Sequence, residues 1–184
     1  IFVEKPSVLV PFSEGQFDLG DFNKDSYIDI VSTGLDFSGN KMTNIYKNNG
    51  NGTFTLLSTP NIFLLKQGSV AWGDYDNDGF LDILLAGTDD GYMAKTKIYK
   101  NNGNETFTEQ TSISLLGVNM GSVAWGDYNN DGFSDIILNG SIREWAIGGY
   151  SKVYRNTGSG SFVEATDIPL IGLSSSATSW CDYD

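Results

Sequence analysis

Three nine-residue stretches carry the chemistry of this chain. Asp21-Phe22-Asn23-Lys24-Asp25-Ser26-Tyr27-Ile28-Asp29 returns as Asp74-Tyr75-Asp76-Asn77-Asp78-Gly79-Phe80-Leu81-Asp82. It returns again as Asp127-Tyr128-Asn129-Asn130-Asp131-Gly132-Phe133-Ser134-Asp135, and a fourth copy opens at Asp182-Tyr183-Asp184. Each complete copy offers carboxylate or carboxamide oxygens at positions 1, 3, 5 and 9, with a turn at position 6 that aims the carbonyl of position 7 inward. Hard oxygen donors at this spacing suit Ca²⁺, which takes roughly 6–8 of them in flexible geometry. Mg²⁺ fits less well, since it keeps its own waters.

The expected donors of the first loop are Asp21, Asn23, Asp25, Asp29 and the carbonyl of Tyr27. In the second they are Asp74, Asp76, Asp78, Asp82 and the carbonyl of Phe80, and in the third Asp127, Asn129, Asp131, Asp135 and the carbonyl of Phe133. About three Ca²⁺ sites are therefore expected, one per complete loop. The first should be the weaker, because Ser26 stands where the other two have the turn glycine and must adopt its conformation. An EF-hand is excluded: position 12 is Ser32, Leu85 or Leu138, where that motif needs a bidentate Glu. Acids at this density repel one another without a cation, which favours a metal loop over a merely solvated turn.

Other chemistries are closed off by composition. There is no histidine among the 184 residues, so Ser-His-Asp and Cys-His catalysis and every His-ligated zinc site are absent. The single cysteine, Cys181, cannot form an intrachain disulfide. A formal charge of −12 repels phosphate backbones, so no nucleic-acid partner is expected. Twelve of the twenty-three acids belong to the four loops, so filling three sites would bring the charge to −6 without any acidic partner surface. The apolar runs, such as residues 62–65, are far shorter than the ~20 residues a spanning helix needs, so no membrane insertion is expected.

The elements that position these loops repeat with them. The loops begin 53, 53 and 55 residues apart, and a second landmark keeps step: Tyr46-Lys47-Asn48-Asn49-Gly50, Tyr99-Lys100-Asn101-Asn102-Gly103 and Tyr154-Arg155-Asn156-Thr157-Gly158. The two extra residues fall in 141–151. Each unit holds four strand-like runs; in the second they are 53–57, 69–72, 80–86 and 96–99, separated by Asn-Gly and Asp-Gly turn formers. Ile83-Leu84-Leu85 reads as a strand buried on both faces. Four strands in about 50 residues, repeated, indicate an all-β fold, a β-propeller built of four-stranded blades of ~53 residues. Residues 1–184 hold about three and a half such units, with Phe2-Val3-Glu4 equivalent to a strand of the later repeats. Since closed propellers take about 4–8 blades, the remaining blades are expected from the same longer chain or from other subunits.

At these residues the sequence resembles the FG-GAP/VCBS family of calcium-binding blade repeats. The resemblance rests on Val70-Ala71-Trp72-Gly73-Asp74-Tyr75 and its copy Val123-Ala124-Trp125-Gly126-Asp127-Tyr128, on the acidic loops, and on the Tyr-Lys-Asn-Asn-Gly segments. Trp-Gly stands where integrin repeats have Phe-Gly, and Thr33-Gly34, Ala86-Gly87 and Asn139-Gly140 replace Gly-Ala-Pro, so the chain is more similar to the secreted microbial repeats than to integrins. Cys181 replaces the glycine of positions 20, 73 and 126. The resemblance implies a seven- or eight-bladed propeller with structural calcium, in an extracellular adhesion, lectin-like or enzyme-appended module.

Function would then lie on variable loops. The enlarged segment supplies Arg143, Glu144, Trp145 and Tyr150 as candidate contacts to a glycan or an extracellular protein; Asp89, Asp90 and Tyr92, and Asp36 and Phe37, are its counterparts. Ordinary packing of these loops on neighbouring blades is the alternative reading. No catalytic constellation is legible, so an enzyme is not expected, although part of a secreted polysaccharide-degrading enzyme and a repeat of a surface stalk or filament are the competing functions. Asn51, Asn104 and Asn139 open glycosylation sequons, the first two at equivalent turns.

Overall fold

A computed structural model describes residues 9–59, 61–143 and 148–181. These form twelve strands and, among the described residues, no helix. The first sheet holds β1 (Phe17–Gly20), β2 (Asp29–Leu35), β3 (Lys41–Asn48) and β4 (Phe54–Leu56). The second holds β5 (Lys66–Gly73), β6 (Asp82–Thr88), β7 (Ala94–Asn101) and β8 (Phe107–Glu109). The third holds β9 (Asn119–Gly126), β10 (Asp135–Ser141), β11 (Tyr150–Asn156) and β12 (Phe162–Glu164). In each sheet the strands lie in chain order and pair antiparallel, as propeller blades do. Among the described residues the three sheets do not close into a ring.

The blade boundary differs from the sequence expectation. The run 53–57 is the first of its expected unit, yet it forms β4, the outer strand of the preceding sheet. The reason is local. Asn49 N donates to Thr53 O at 2.9 Å, closing a tight turn that returns the chain against β3 with Asn48 opposite Phe54. The longer connector that follows carries the chain to the next blade. A buried tyrosine ties down each such connector: Tyr99 Oη accepts from Phe63 N, Tyr154 Oη from Leu116 N and Tyr46 Oη from Val10 N, all at 3.0 Å. Residues 2–4 lie outside the described residues.

β6 shows why a near-continuous apolar strand forms here. All of its residues are buried. Ile83 and Leu85 join the core between the first and second sheets, with Val31, Ile45 and Trp72, whereas Leu84 joins Ile98, Val123 and Ile136 between the second and third. Alternation along the strand thus serves two cores, and neither face can be polar. Each buried Leu or Ile contributes about 1.5–3 kcal/mol.

The junctions are keyed by aromatic rings. Trp72 stacks on Phe22 of the preceding blade at 5.6 Å and 4°, and Trp125 on Tyr75 at 6.2 Å and 15°. Trp180 repeats the contact on Tyr128 at 6.1 Å. Glycine just before each acidic loop makes room for the incoming indole, since a Cβ at Gly73 would stand 2.4 Å from Trp125 Cδ1 and one at Gly126 2.4 Å from Trp180 Cδ1. Leu19 holds the tryptophan position of the first blade and is 54% exposed. Because the indole is a rigid neighbour, Gly73→Ala should destabilise the chain by about 1–3 kcal/mol by overpacking. Urea denaturation would check this, with unchanged stability refuting the socket.

Candidate metal centre

Each acidic loop joins the first two strands of its blade, and its own carboxylates fold it. Asp74 accepts from Asp78 N at 3.1 Å through Oδ1 and from Gly79 N at 2.8 Å through Oδ2. Asp21 does the same with Asp25 N and Ser26 N, and Asp127 with Asp131 N and Gly132 N. Position 5 then accepts from the amide of position 7: Asp25 from Tyr27, Asp78 from Phe80, Asp131 from Phe133. Position 6 is left-handed in every copy, with φ of 70° at Ser26, 84° at Gly79 and 87° at Gly132. Ser26 therefore does adopt the glycine conformation, at a cost of about 1–2 kcal/mol.

The loops differ at position 3. Asn23 and Asn129 each donate a side-chain N–H to the position 5 carboxylate at 2.9 Å, which quiets one charge without a cation. Asp76 has no proton to donate. Its oxygens instead gather with those of Asp74 and Asp78 within 4.8 Å of one another, and Lys100 from β7 pairs with Asp76 and, at 2.9 Å, with Asp78. The contact with Asp76 above all, and that with Asp78, hold the Lys100 ammonium well above its ordinary range, even though partial burial works the other way. Burial would push Asp78 up, but the Phe80 amide and Lys100 together bring it below its ordinary value. Asp76 Oδ1 is buried with no hydrogen-bond partner. A clustered, all-oxygen donor set with one carboxylate oxygen still orphaned fits a hard divalent cation such as Ca²⁺.

Position 9, the remaining expected carboxylate donor of each loop, lies deeper. Asp29, Asp82 and Asp135 are fully buried. Asp82 accepts from Asn101 N at 2.8 Å and from Tyr75 N at 3.1 Å, and the other two have the matching pair of amides. Burial raises the pKa of all three, against those hydrogen bonds; Asp82 is raised furthest, from 3.8 to about 7, with the charges of Asp76 and Asp78 adding to the rise.

The other candidate residues sit at the opposite end of the sheets, where antiparallel strand order puts the β2–β3, β6–β7 and β10–β11 connections. Phe37, Tyr92, Arg143 and Tyr150 are exposed there, and Arg143 bridges to Met93 of the neighbouring blade. Lys41 pairs across blades with Asp90, and within the second blade Lys95 pairs with Asp89 at 3.6 Å. Glu144 and Trp145 lie outside the described residues. The first two sequons are turn devices, with Asn51 Oδ1 accepting from Thr53 N and Asn104 Oδ1 from Thr106 N. Asn139 is fully buried in β10. Lys100 and Asn101 are the residues touching the second loop that sequence reasoning passed over. Their signal was present in the Tyr-Lys-Asn-Asn-Gly repeat, which served only as a landmark.

The chain matches the sequence pattern described as the FG-GAP-like repeat over residues 21–85 and again over 74–138. No curated protein gives a significant match.

Two outcomes follow from the loop electrostatics. Between pH of about 4 and 7 the folded metal-free chain holds a proton on Asp82 that the unfolded chain releases, so stability falls as pH rises through that window. Melting temperatures in EDTA should decline accordingly, and Asp82→Asn should flatten the slope. Lys100→Met should lower metal-free stability by about 0.5–1 kcal/mol, as for partly exposed ion pairs. It should also strengthen Ca²⁺ binding in calorimetric titration; a weakened site would contradict the role given to Lys100.

Proposed function

The chain belongs to the FG-GAP-like repeat family, and on that footing we propose that it is an extracellular calcium-binding propeller module that recognises a glycan or protein ligand. Asp74, Asp76 and Asp78 would hold the ion in the second loop, with their counterparts in the first and third. The observation that carries the metal reading is the orphaned Asp76 Oδ1 inside a three-carboxylate cluster that Lys100 only partly neutralises. Bound calcium supplies positive charge that lets the clustered carboxylates stay ionised side by side. Its role is structural: it fixes the connection between the first two strands of a blade. Oxygen sites of this kind fill readily at the calcium levels outside cells, which supports an extracellular setting.

Ligand recognition is assigned to the opposite end. Phe37 is 89% exposed and Tyr92 62%, a large aromatic display next to the carboxylates of Asp36 and Asp90. Stacking faces beside acceptors suit sugars and peptide aromatics alike. The module is read as non-catalytic, because Asp89 and Asp90, the adjacent carboxylates at this end, are both engaged by lysines.

Adding calcium to EDTA-stripped chain should raise the melting temperature by about 5–10 °C for each site filled at a hundredfold excess over Kd, with a smaller rise in magnesium. No calcium-specific rise would refute the metal reading. In a glycan array and a pull-down with extracellular protein, Phe37→Ser and Tyr92→Ser should abolish capture while leaving the calcium shift intact.

A further inference from the structure

Buried asparagines link the metal loops of neighbouring blades. Asn101, at the end of β7, is 1% exposed, and one amide nitrogen reaches two loops: Nδ2 donates to Phe22 O in the first loop at 2.9 Å and to Leu81 O in the second at 3.0 Å. Its backbone N–H donates to Asp82, and its own Oδ1 accepts from Gly103 N at 2.9 Å. Every polar group of the side chain is thereby used, so it has one satisfied orientation. Asn156 repeats the device one blade on, donating to Tyr75 O at 2.7 Å and Ser134 O at 3.1 Å, with its backbone N–H on Asp135. Asn48 Nδ2, in the first blade, donates to Ile28 O of its own loop at 3.0 Å.

Taken end to end, these bonds form one continuous path. Asp29 accepts from the N–H of Phe22, whose carbonyl accepts from Asn101; Asn101 donates its backbone N–H to Asp82. Asp82 accepts from the N–H of Tyr75, whose carbonyl accepts from Asn156, and Asn156 donates its backbone N–H to Asp135. The second residue of each loop is thus held by its own position 9 aspartate on one side and by the next blade on the other. At the surface, Asn77 of the second loop donates to Gly132 O of the third at 2.9 Å, and Lys24 of the first lies 3.9 Å from the Phe80 ring centre of the second.

We propose that Asn101 and Asn156 couple adjacent metal loops, so that a calcium ion ordering one loop raises the affinity of the next. This rests on the calcium reading above. The coupling is entropic in origin: an ion that fixes one loop also fixes the carbonyl that the asparagine shares, and the neighbouring loop then has less freedom left to lose.

The test is calcium titration calorimetry on the full chain. Asp74→Asn with Asp78→Asn disables the second loop while leaving the buried path intact, and should weaken the two remaining sites about 5-fold or more. Asn101→Ala should weaken first-loop binding in the otherwise intact chain. It should add nothing once the second loop is disabled. Unchanged affinities of the first and third loops in the disabled variant overturn the coupling and leave the calcium reading standing. A wild-type chain that takes up no calcium overturns both. The disabled variant decides the matter even if Asn101→Ala fails to fold.

Discussion

A carboxylate removed from water costs several kcal/mol unless hydrogen bonds replace its lost hydration. Asp29, Asp82 and Asp135 are removed in this way, and each recovers two backbone N–H groups: one from the second residue of its own loop and one from the end of the third strand of its blade. That requirement sets the rest of the architecture. The acidic loop must fold back so that its second residue reaches its ninth, and the third strand must end at the level where the second begins. The aromatic side chain of the second residue, Phe22 or Tyr75, is thereby turned into the junction where the next blade's tryptophan stacks. Loop electrostatics and blade packing meet in one residue.

Much of this was legible from residue order. The period, the four strands per repeat and the spacing of acids all survive in three dimensions, because turn glycines and hydrogen-bonding aspartates act within a few residues of one another. The doubly buried strand was legible too, since Ile83, Leu84 and Leu85 admit no polar face. Partition of the strands was not. The run 53–57 lies nearer its predecessor only because the turn at residues 49–53 closes tightly, and periodicity is blind to where a unit starts.

The roles of Lys100, Asn101 and Asn156 were hidden for a different reason. Their partners lie about twenty residues away in the same blade and about eighty residues away in the preceding one. Spacing within a motif carries no information about such partners. The difference between the loops is nonetheless traceable to a single atom type: an amide at position 3 donates a hydrogen bond to its neighbour from within, as in Asn23 and Asn129, whereas the carboxylate of Asp76 recruits a lysine from the adjoining hairpin.

The glycine that admits each tryptophan gives every blade a plug on one side and a hole on the other. Polarity follows: a reversed blade would set plug against plug, so the repeats can be added in one sense only. A segment of 53 residues cut out or duplicated between two such junctions leaves each plug facing a hole, and blade number can change over evolution without any side chain being redesigned. Leu19 and Cys181 are the two departures from this gauge, a smaller plug and a narrower hole, and a junction made at either has to be cut to a different size.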